Sequence, residues 1–278
     1  MARILTTFRY LCIICICSST QLANAAKREV IFDGKTLAGW RGYQKQAIDD
    51  HWVVEDGAIK GSGKGPDIVT EKQYGDFDLR FEWKIAPGGN SGVIYRVTED
   101  AEQAYHTGPE YQVLDDGEFA DSNNPTILSS GLYALYGTEK KELRPVGEYN
   151  VSRIVVRGNV IQHWLNDQKV LECHIGSEDW NKKVAASKFA QWKRFGKNKK
   201  GHIALQSHGS PVWYRNITVT DLTEKAEASA PTGDESVSTD PCQPVIKEVK
   251  RRLRVNRRGS RTRGRISLRR VFVKNNNR

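Results

Sequence analysis

Phe77-Asp-Leu-Arg-Phe-Glu-Trp-Lys-Ile85 alternates without a break. Phe77, Leu79, Phe81, Trp83 and Ile85 fall on one side of an extended chain, and Asp78, Arg80, Glu82 and Lys84 on the other. Successive side chains of a strand point to opposite faces, so this is a half-buried strand with a core side and a solvated side. Outward from it the same signature returns in short runs parted by turn residues. His51–Glu55 and Ala58–Lys60 flank Asp56-Gly57, a two-residue hairpin pair. Ser152–Arg157, Val160–Leu165 and Lys169–His174 read as a meander turned by Gly158-Asn159 and Asn166-Asp167. Glu29–Asp33, Asp67–Thr70, Gly201–Ser207 and Val212–Thr220 add further extended pieces. Ser187–Phe195 reads as a single amphipathic helix with Phe189, Trp192 and Phe195 on its buried side. Trp83, Trp164 and Trp213 alternate as core residues would. Short strands at regular spacing with Gly, Pro and Asn turns predict an all-β fold. The expected architecture is an antiparallel β-sandwich or jelly roll with one short helix, over residues 27–222.

The ends of the chain differ from this body. Arg3 and Arg9 precede an apolar run, Tyr10–Cys17, and Ala23-Asn24-Ala25 fits the small-x-small cleavage rule. Residues 1–25 are therefore expected to be a secretory signal peptide, too short in its apolar part to span a bilayer. With that segment removed, Cys173 and Cys242 remain, too few for a disulfide framework. Cys173, in a strand-like run, is expected to be a buried free thiol. From Thr223 to residue 246 the composition shifts to Ala, Ser, Thr, Pro, Asp and Glu, a solvated acidic linker. Lys247–Arg278 holds 14 Lys and Arg against one Glu, and reads as a disordered basic tail. The chain carries +10 overall; once the +13 of this tail and the +2 of residues 1–25 are set aside, residues 26–246 carry −5. A mildly acidic body argues against nucleic-acid binding by the folded part, and the tail is the segment suited to an anionic polymer.

The chemistry-bearing residues cluster in Pro87–Asp116. If Tyr111 and Val113 are core, Glu110 and Gln112 look outward side by side. Gly92, Ile94 and Arg96 share a face of the preceding run. A carboxylate, an amide and an Arg from a nearby strand suit polyol binding or acid–base chemistry; a solvated strand face is the alternative. Gln206 and His208 share a face at a strand end before a Gly turn, where a His can act as base, acid or ligand. Arg215 either clamps a substrate oxygen or pairs with a carboxylate across strands. Gly61-Ser62-Gly63-Lys64-Gly65 lacks the spacing of a phosphate loop and is read as a plain loop.

The ordered set of motifs resembles one family. The set runs through Ile31–Trp40, Tyr74–Phe77, Asn90–Arg96, Glu110–Asp115, Gly147–Asn150, Val156–Asn159, Trp164–Asn166, Leu205–Gly209 and Tyr214–Ile217. In order and spacing these resemble the 3-keto-disaccharide hydrolase domain family, over residues 29–222. Tyr149 stands where the family usually has Trp, and Asp167 where it usually has Gly. The resemblance implies a concanavalin A-like sandwich, exported to the periplasm, the extracellular space or the cell surface. It implies an enzyme that cleaves 3-keto-glycosides after a separate glucoside 3-dehydrogenase has oxidised C3. A ketone at C3 acidifies the C2 proton, so a base, an electrophile over the ketone oxygen and an acid at the leaving group suffice. On this basis Glu110 and His208 are the expected base and acid in either order. Arg96 is expected to stabilise the enediolate, and Gln112 and Gln206 to bind hydroxyls, with Asn90 and Asp115 as further candidates. A divalent metal on these oxygens and His208 stays open, since no spacing demands one. A non-catalytic carbohydrate-binding module, or a surface protein acting through its basic tail, are the competing classes.

Overall fold

Strands form where the alternation is cleanest. In chain order they are β1 (Arg28–Val30), β2 (Trp40–Gly42), β3 (Trp52–Glu55), β4 (Ala58–Gly61), β5 (Ile68–Thr70), β6 (Phe77–Ile85), β7 (Asn90–Val97) and β8 (Glu110–Leu114). There follow β9 (Asn150–Arg157), β10 (Val160–Leu165), β11 (Gln168–His174), helix α1 (Glu178–Ala186), β12 (His202–Leu205) and β13 (Val212–Asp221). The computed structural model describes residues 27–223 apart from Asn123 and Glu139. The expected signal segment, the basic tail and all of the acidic linker beyond Thr223 lie outside the described residues.

Every pairing is antiparallel, and the strands form two sheets. The larger has the order β11-β10-β9-β6-β13-β4-β3, with β1 alongside the far half of β13. The smaller has the order β2-β5-β12-β7-β8. This is the expected antiparallel β-sandwich. The two-residue turns form because Asp56, Gly57, Asn166 and Asp167 all accept positive φ, between 44° and 74°.

The main core lies between the sheets. All five apolar residues of β6 are buried in it, with Tyr95 and Val93 of β7 and Tyr111 and Val113 of β8 facing them. The polar atoms of these aromatics find partners. Trp83 Nε1–H donates to Ser152 Oγ at 2.8 Å, and the Tyr111 hydroxyl lies 2.7 Å from the same oxygen. Ser91 Oγ donates to the Gln206 carbonyl at 2.6 Å and lies 2.8 Å from the Tyr214 hydroxyl, which ties the chain just beyond β12 to the core. His163 is fully buried between the Tyr95 hydroxyl and the Ser130 carbonyl, each at 3.0 Å. Burial pushes its imidazole down to about 4, so it is neutral. Cys173 is a buried free thiol, as expected.

Two expectations are corrected. The α-helix lies at Glu178–Ala186, earlier than expected, and Lys188–Gln191 is a separate 3-10 turn. Ser177 caps the first by accepting Trp180 N–H, and Ser187 caps the second by accepting Phe189 N–H, so the two serines split the segment. Phe189 and Phe195 are buried and Trp192 packs partly against them. Of the three alternating tryptophans only Trp83 is core. Trp213 lies on the outer face of the larger sheet under the ammonium of Lys84, and Trp164 is stacked by Arg153. A strand has two faces, and alternation alone does not say which is inside.

Candidate active site

The outer face of the smaller sheet carries the site. Val69, Ala204 and Ile94 are opposed across β5, β12 and β7, and Ile94 is opposite Glu110 of β8. Each alternate residue looks outward. Val69, Ala204 and Ile94 bury themselves in a second apolar cluster with Tyr43, Val97 and Ala104. Glu110 ends that row. The next row along the strands, one pleat on, is Asp67, Gln206, Gly92 and Gln112. Gly92 is opposite Gln112, and Gln206 N–H donates to the Gly92 carbonyl at 2.9 Å.

Gly92 decides where the carboxyl of Glu110 sits. A Cβ on residue 92 would lie 2.3 Å from Glu110 Oε1 and 2.8 Å from its Cδ. The carboxyl occupies the space a side chain would take. Gly92→Ala is expected to push the carboxyl aside and lower activity on the order of 10²-fold, with the fold kept. Circular dichroism alongside kinetics checks this; wild-type turnover would show that the position of the carboxyl is not critical.

Asn90, Glu110, Gln112, Gln206 and His208 converge on one cavity of about 90 Å³, completed by Tyr105, Tyr133 and Lys188. A wider cavity of about 360 Å³ shares Tyr105, Gln206 and His208 with it and is bounded by Asp67, Glu102, His106 and Ser207. The site is thus a small inner pocket opening into a broader groove. Glu110 is buried, and desolvation pushes its carboxyl up to about 8. The charge of Asp67 acts in the same direction; Lys188 and a hydrogen bond from Gln206 oppose it. Gln112 donates from Nε2 to Asn90 Oδ1 at 3.2 Å, while its buried Oε1 has no partner among the described residues. A buried unpaired acceptor is costly, and a hydroxyl donor in the pocket would satisfy it. His208 is exposed at the mouth.

Lys188 supplies the cation. Its ammonium sits 4.4 Å from the Tyr133 ring centre and 4.7 Å from that of Tyr105. The 3-10 turn that carries it is anchored by Phe189 stacked on Phe195, and Trp192 stacks on His106 at 4.0 Å. Lys188, Tyr105, Tyr133 and Asp67 did not emerge from the sequence. Asp67 shares the parity of Val69 but stands next to no other polar residue on its own strand, and Lys188 lies in a segment read as one helix.

Three expected residues are elsewhere. Arg96 has φ 52° and sits at a bulge: His202 is opposite Val97 while Ala204 is opposite Ile94, so one extra residue interrupts the alternation. The bulge turns its guanidinium away to the Gly75 and Gly158 carbonyls and Asp76 Oδ1, each at 2.9 Å. Asp115 accepts Gly88 N–H at 2.8 Å and Gly117 N–H at 3.1 Å and so shapes two turns. It borders a different cavity with Trp83 and Leu143. Arg215 is on β13, in the other sheet; it pairs with Glu82 at 2.7 Å and stacks on Tyr149 at 3.7 Å. As for a metal, no three His, Cys, Asp or Glu side chains among the described residues are grouped so that they could hold a metal ion.

A β-sandwich with a carboxyl, amides, an ammonium and tyrosines around one pocket is the equipment of a carbohydrate-active enzyme, and comparison with known proteins agrees. Residues 27–220 match the model of the 3-keto-alpha-glucoside-1,2-lyase-like domain, and the chain belongs to that family. It is 38% identical over 224 residues to a 3-keto-disaccharide hydrolase of Bacteroides thetaiotaomicron, covering 69% of this chain and 77% of that one. A crystal structure of a candidate glycosyl hydrolase from Parabacteroides distasonis superposes with a TM-score of 0.66 at 34% identity, covering 70% of this chain and 94% of that one. A second from the same organism gives 0.58 at 27% identity, covering 70% of this chain and 100% of that one.

Proposed function

We propose that this chain is an exported enzyme that cleaves the glycosidic bond of 3-keto-glycosides, disaccharides among them, by C2 proton abstraction, elimination and hydration. The observation that carries the reading is the buried carboxyl of Glu110, held over Gly92 beside Lys188 and an unpartnered amide oxygen. A carboxyl kept buried at the wall of a ligand-accessible pocket is suited to move a proton near neutral pH. Lys188 takes the part first expected of Arg96, as the positive charge for the developing enediolate oxygen. The Gln112 oxygen accepts from a sugar hydroxyl, and Asn90 and Gln206 complete the polyol contacts. His208, at the mouth of both cavities, lines the path by which a sugar reaches the carboxyl. The two cavities together have room for two sugar units in a row.

The substrate ketone must come from an oxidoreductase that oxidises C3 of a glycoside. Export rests on the basic, apolar and Ala23-Asn24-Ala25 regions of the first 25 residues. Among the described residues no helix is long and apolar enough to cross a membrane. The basic tail is the part that would hold the enzyme to an anionic polymer.

The test is incubation with 3-keto-trehalose and simple 3-keto-glucosides, with and without a chelator, followed by NMR. The expected products are the free aglycone with 3-keto-glucose or its 2-hydroxyglucal, while the unoxidised glycosides stay intact. Binding without turnover would replace the enzyme by a carbohydrate-binding module. Loss of activity in the chelator arm alone would bring a metal into the site.

A further inference from the structure

We infer that Asp67 is the second carboxyl of this site, taking the C2 proton while Glu110 protonates the departing oxygen. The inference rests on the reading of the chain as an enzyme cleaving 3-keto-glycosides. Its ground is the cross-strand row on the outer face. β5 and β7 flank β12, so Asp67 and Gly92 stand on either side of Gln206, about 10 Å apart at the usual strand spacing. Because the Glu110 carboxyl fills the space over Gly92, the two carboxyls lie on opposite sides of Gln206, close enough for the charge of Asp67 to act on Glu110. Asp67 opens into the outer cavity, beside His208. Its carboxylate is fixed by Ser207 N–H, which donates to Oδ1 at 2.9 Å. Among the described residues no salt bridge neutralises it. The unpartnered Gln112 oxygen in the same row points to a ligand spanning the row.

The two carboxyls are prepared for different tasks. Desolvation raises both, Glu110 to about 8 and Asp67 to about 6, where the hydrogen bond from Ser207 holds Asp67 lower. At neutral pH one is an acid and the other a base, which is how paired carboxyls divide acid and base roles. The charged and titratable groups facing Glu110 are Lys188, Tyr105, Tyr133, His208 and Asp67, with Tyr214 beneath it in the core. Those facing Asp67 are His208, Glu102, His106, Tyr105, Tyr43 and Glu110, with Tyr214 again on the core side.

The C2–H bond breaks, its proton passes to Asp67, and its electron pair forms the C2=C3 enediolate with charge on the C3 oxygen. That oxygen re-forms the ketone, C1=C2 forms, and the C1–O bond breaks as Glu110 protonates the leaving oxygen. Water then adds across C1=C2: the Glu110 carboxylate takes a water proton as oxygen bonds C1, and Asp67 returns its proton to C2. Glycoside and water become two hydroxyl products, nothing is oxidised, and both carboxyls end as they began.

The experiment follows a 3-keto-glucoside in D2O by NMR with wild-type enzyme, Asp67→Asn and Glu110→Gln. Wild type is expected to exchange C2–H for deuterium and to release the aglycone. Asp67→Asn should lose exchange and release together by about 10²-fold or more, whereas Glu110→Gln should keep exchange within a few-fold and lose release. Asparagine retains an oxygen for Ser207 N–H, and thermal melting verifies the fold. Wild-type exchange by Asp67→Asn in an enzyme that is otherwise active overturns the role of Asp67 alone. Failure of the wild type on every 3-keto-glycoside overturns the parent reading, and this inference with it. Should Asp67→Asn not fold, the wild-type pH profile decides. Activity falling below about pH 6 and above about pH 8 supports the pair, and a steady rise to pH 9 overturns it.

Discussion

Glu110→Gln is expected to lower turnover of a 3-keto-glycoside by about 10²–10⁴-fold and, above neutral pH, to make the protein more stable. Both effects come from one cause. Glutamine keeps the shape that fits over Gly92 and a carbonyl oxygen for Gln206, but it neither gives nor takes a proton. The stability effect follows from linkage. The folded-state carboxyl is raised to about 8 from an ordinary value of 4.5. Stability from this group is fully present below about pH 4.5 and is lost as pH rises through about 8, because the folded state must then bury a charge. Glutamine has no such charge, so the stability gap in favour of the variant opens between pH 4.5 and 8 and then levels off. Its size is on the order of a few kcal/mol, with Lys188 offsetting part of it. Melting temperatures of both proteins at pH 5 and pH 8.5 measure it. A gap that is the same at both values would mean that Glu110 titrates as a solvent-exposed carboxylate does, and would remove the ground for its role.

The largest purely structural effect is expected at Phe81. Its ring meets Tyr111 edge-on at 5.5 Å and Tyr214 at 6.3 Å, near the centre of the main core. Phe81→Ala should destabilise the protein by about 3–5 kcal/mol, the sum of lost burial and a cavity that β6 and β8 cannot collapse into. The loss should also reach the site. Tyr111 neighbours Glu110 and Gln112 in sequence, and Tyr214 meets Ser91, whose hydroxyl holds the Gln206 carbonyl. Urea denaturation gives the first effect, and the Michaelis constant of the folded fraction the second. A destabilisation under about 1 kcal/mol would show that the ring fills no essential part of the core.

What could be read in the sequence was whatever depends on local period. Phe77–Ile85 is a clean alternation, so its strand and its core face were legible. The parity of Tyr111 and Val113 brought Glu110 and Gln112 outward, and period 2 put Gln206 and His208 on one face at a strand end. Arg96 failed because a bulge adds a residue to β7, and no periodic reading can see an insertion that only the partner strand defines. Arg215 failed because membership of a sheet is a matter of topology: β13 pairs with β6, on the opposite side of the sandwich from Glu110. Asp67 and Gln206 are neighbours through the pairing of β5 with β12, which joins segments about 140 residues apart, and nothing local announces such a register. Lys188 was hidden by a serine that starts a new turn where a continuous helix was expected.

The side-chain space over Gly92, taken up by the Glu110 carboxyl, has a consequence for how such a chain can change over generations. Residues 92 and 110 sit on neighbouring strands, and the bulk of one is set by the reach of the other. Any side chain at 92 evicts the carboxyl, and a longer or branched residue at 110 has nowhere to go. An alanine at 92 becomes tolerable only alongside a shorter acid at 110, which draws the carboxyl back by about one bond length. The two positions are therefore one heritable unit. Among relatives that retain the chemistry, they should drift as a pair, Gly with Glu or Ala with Asp, and the mixed pairings should mark copies in which the pocket has been released for another use.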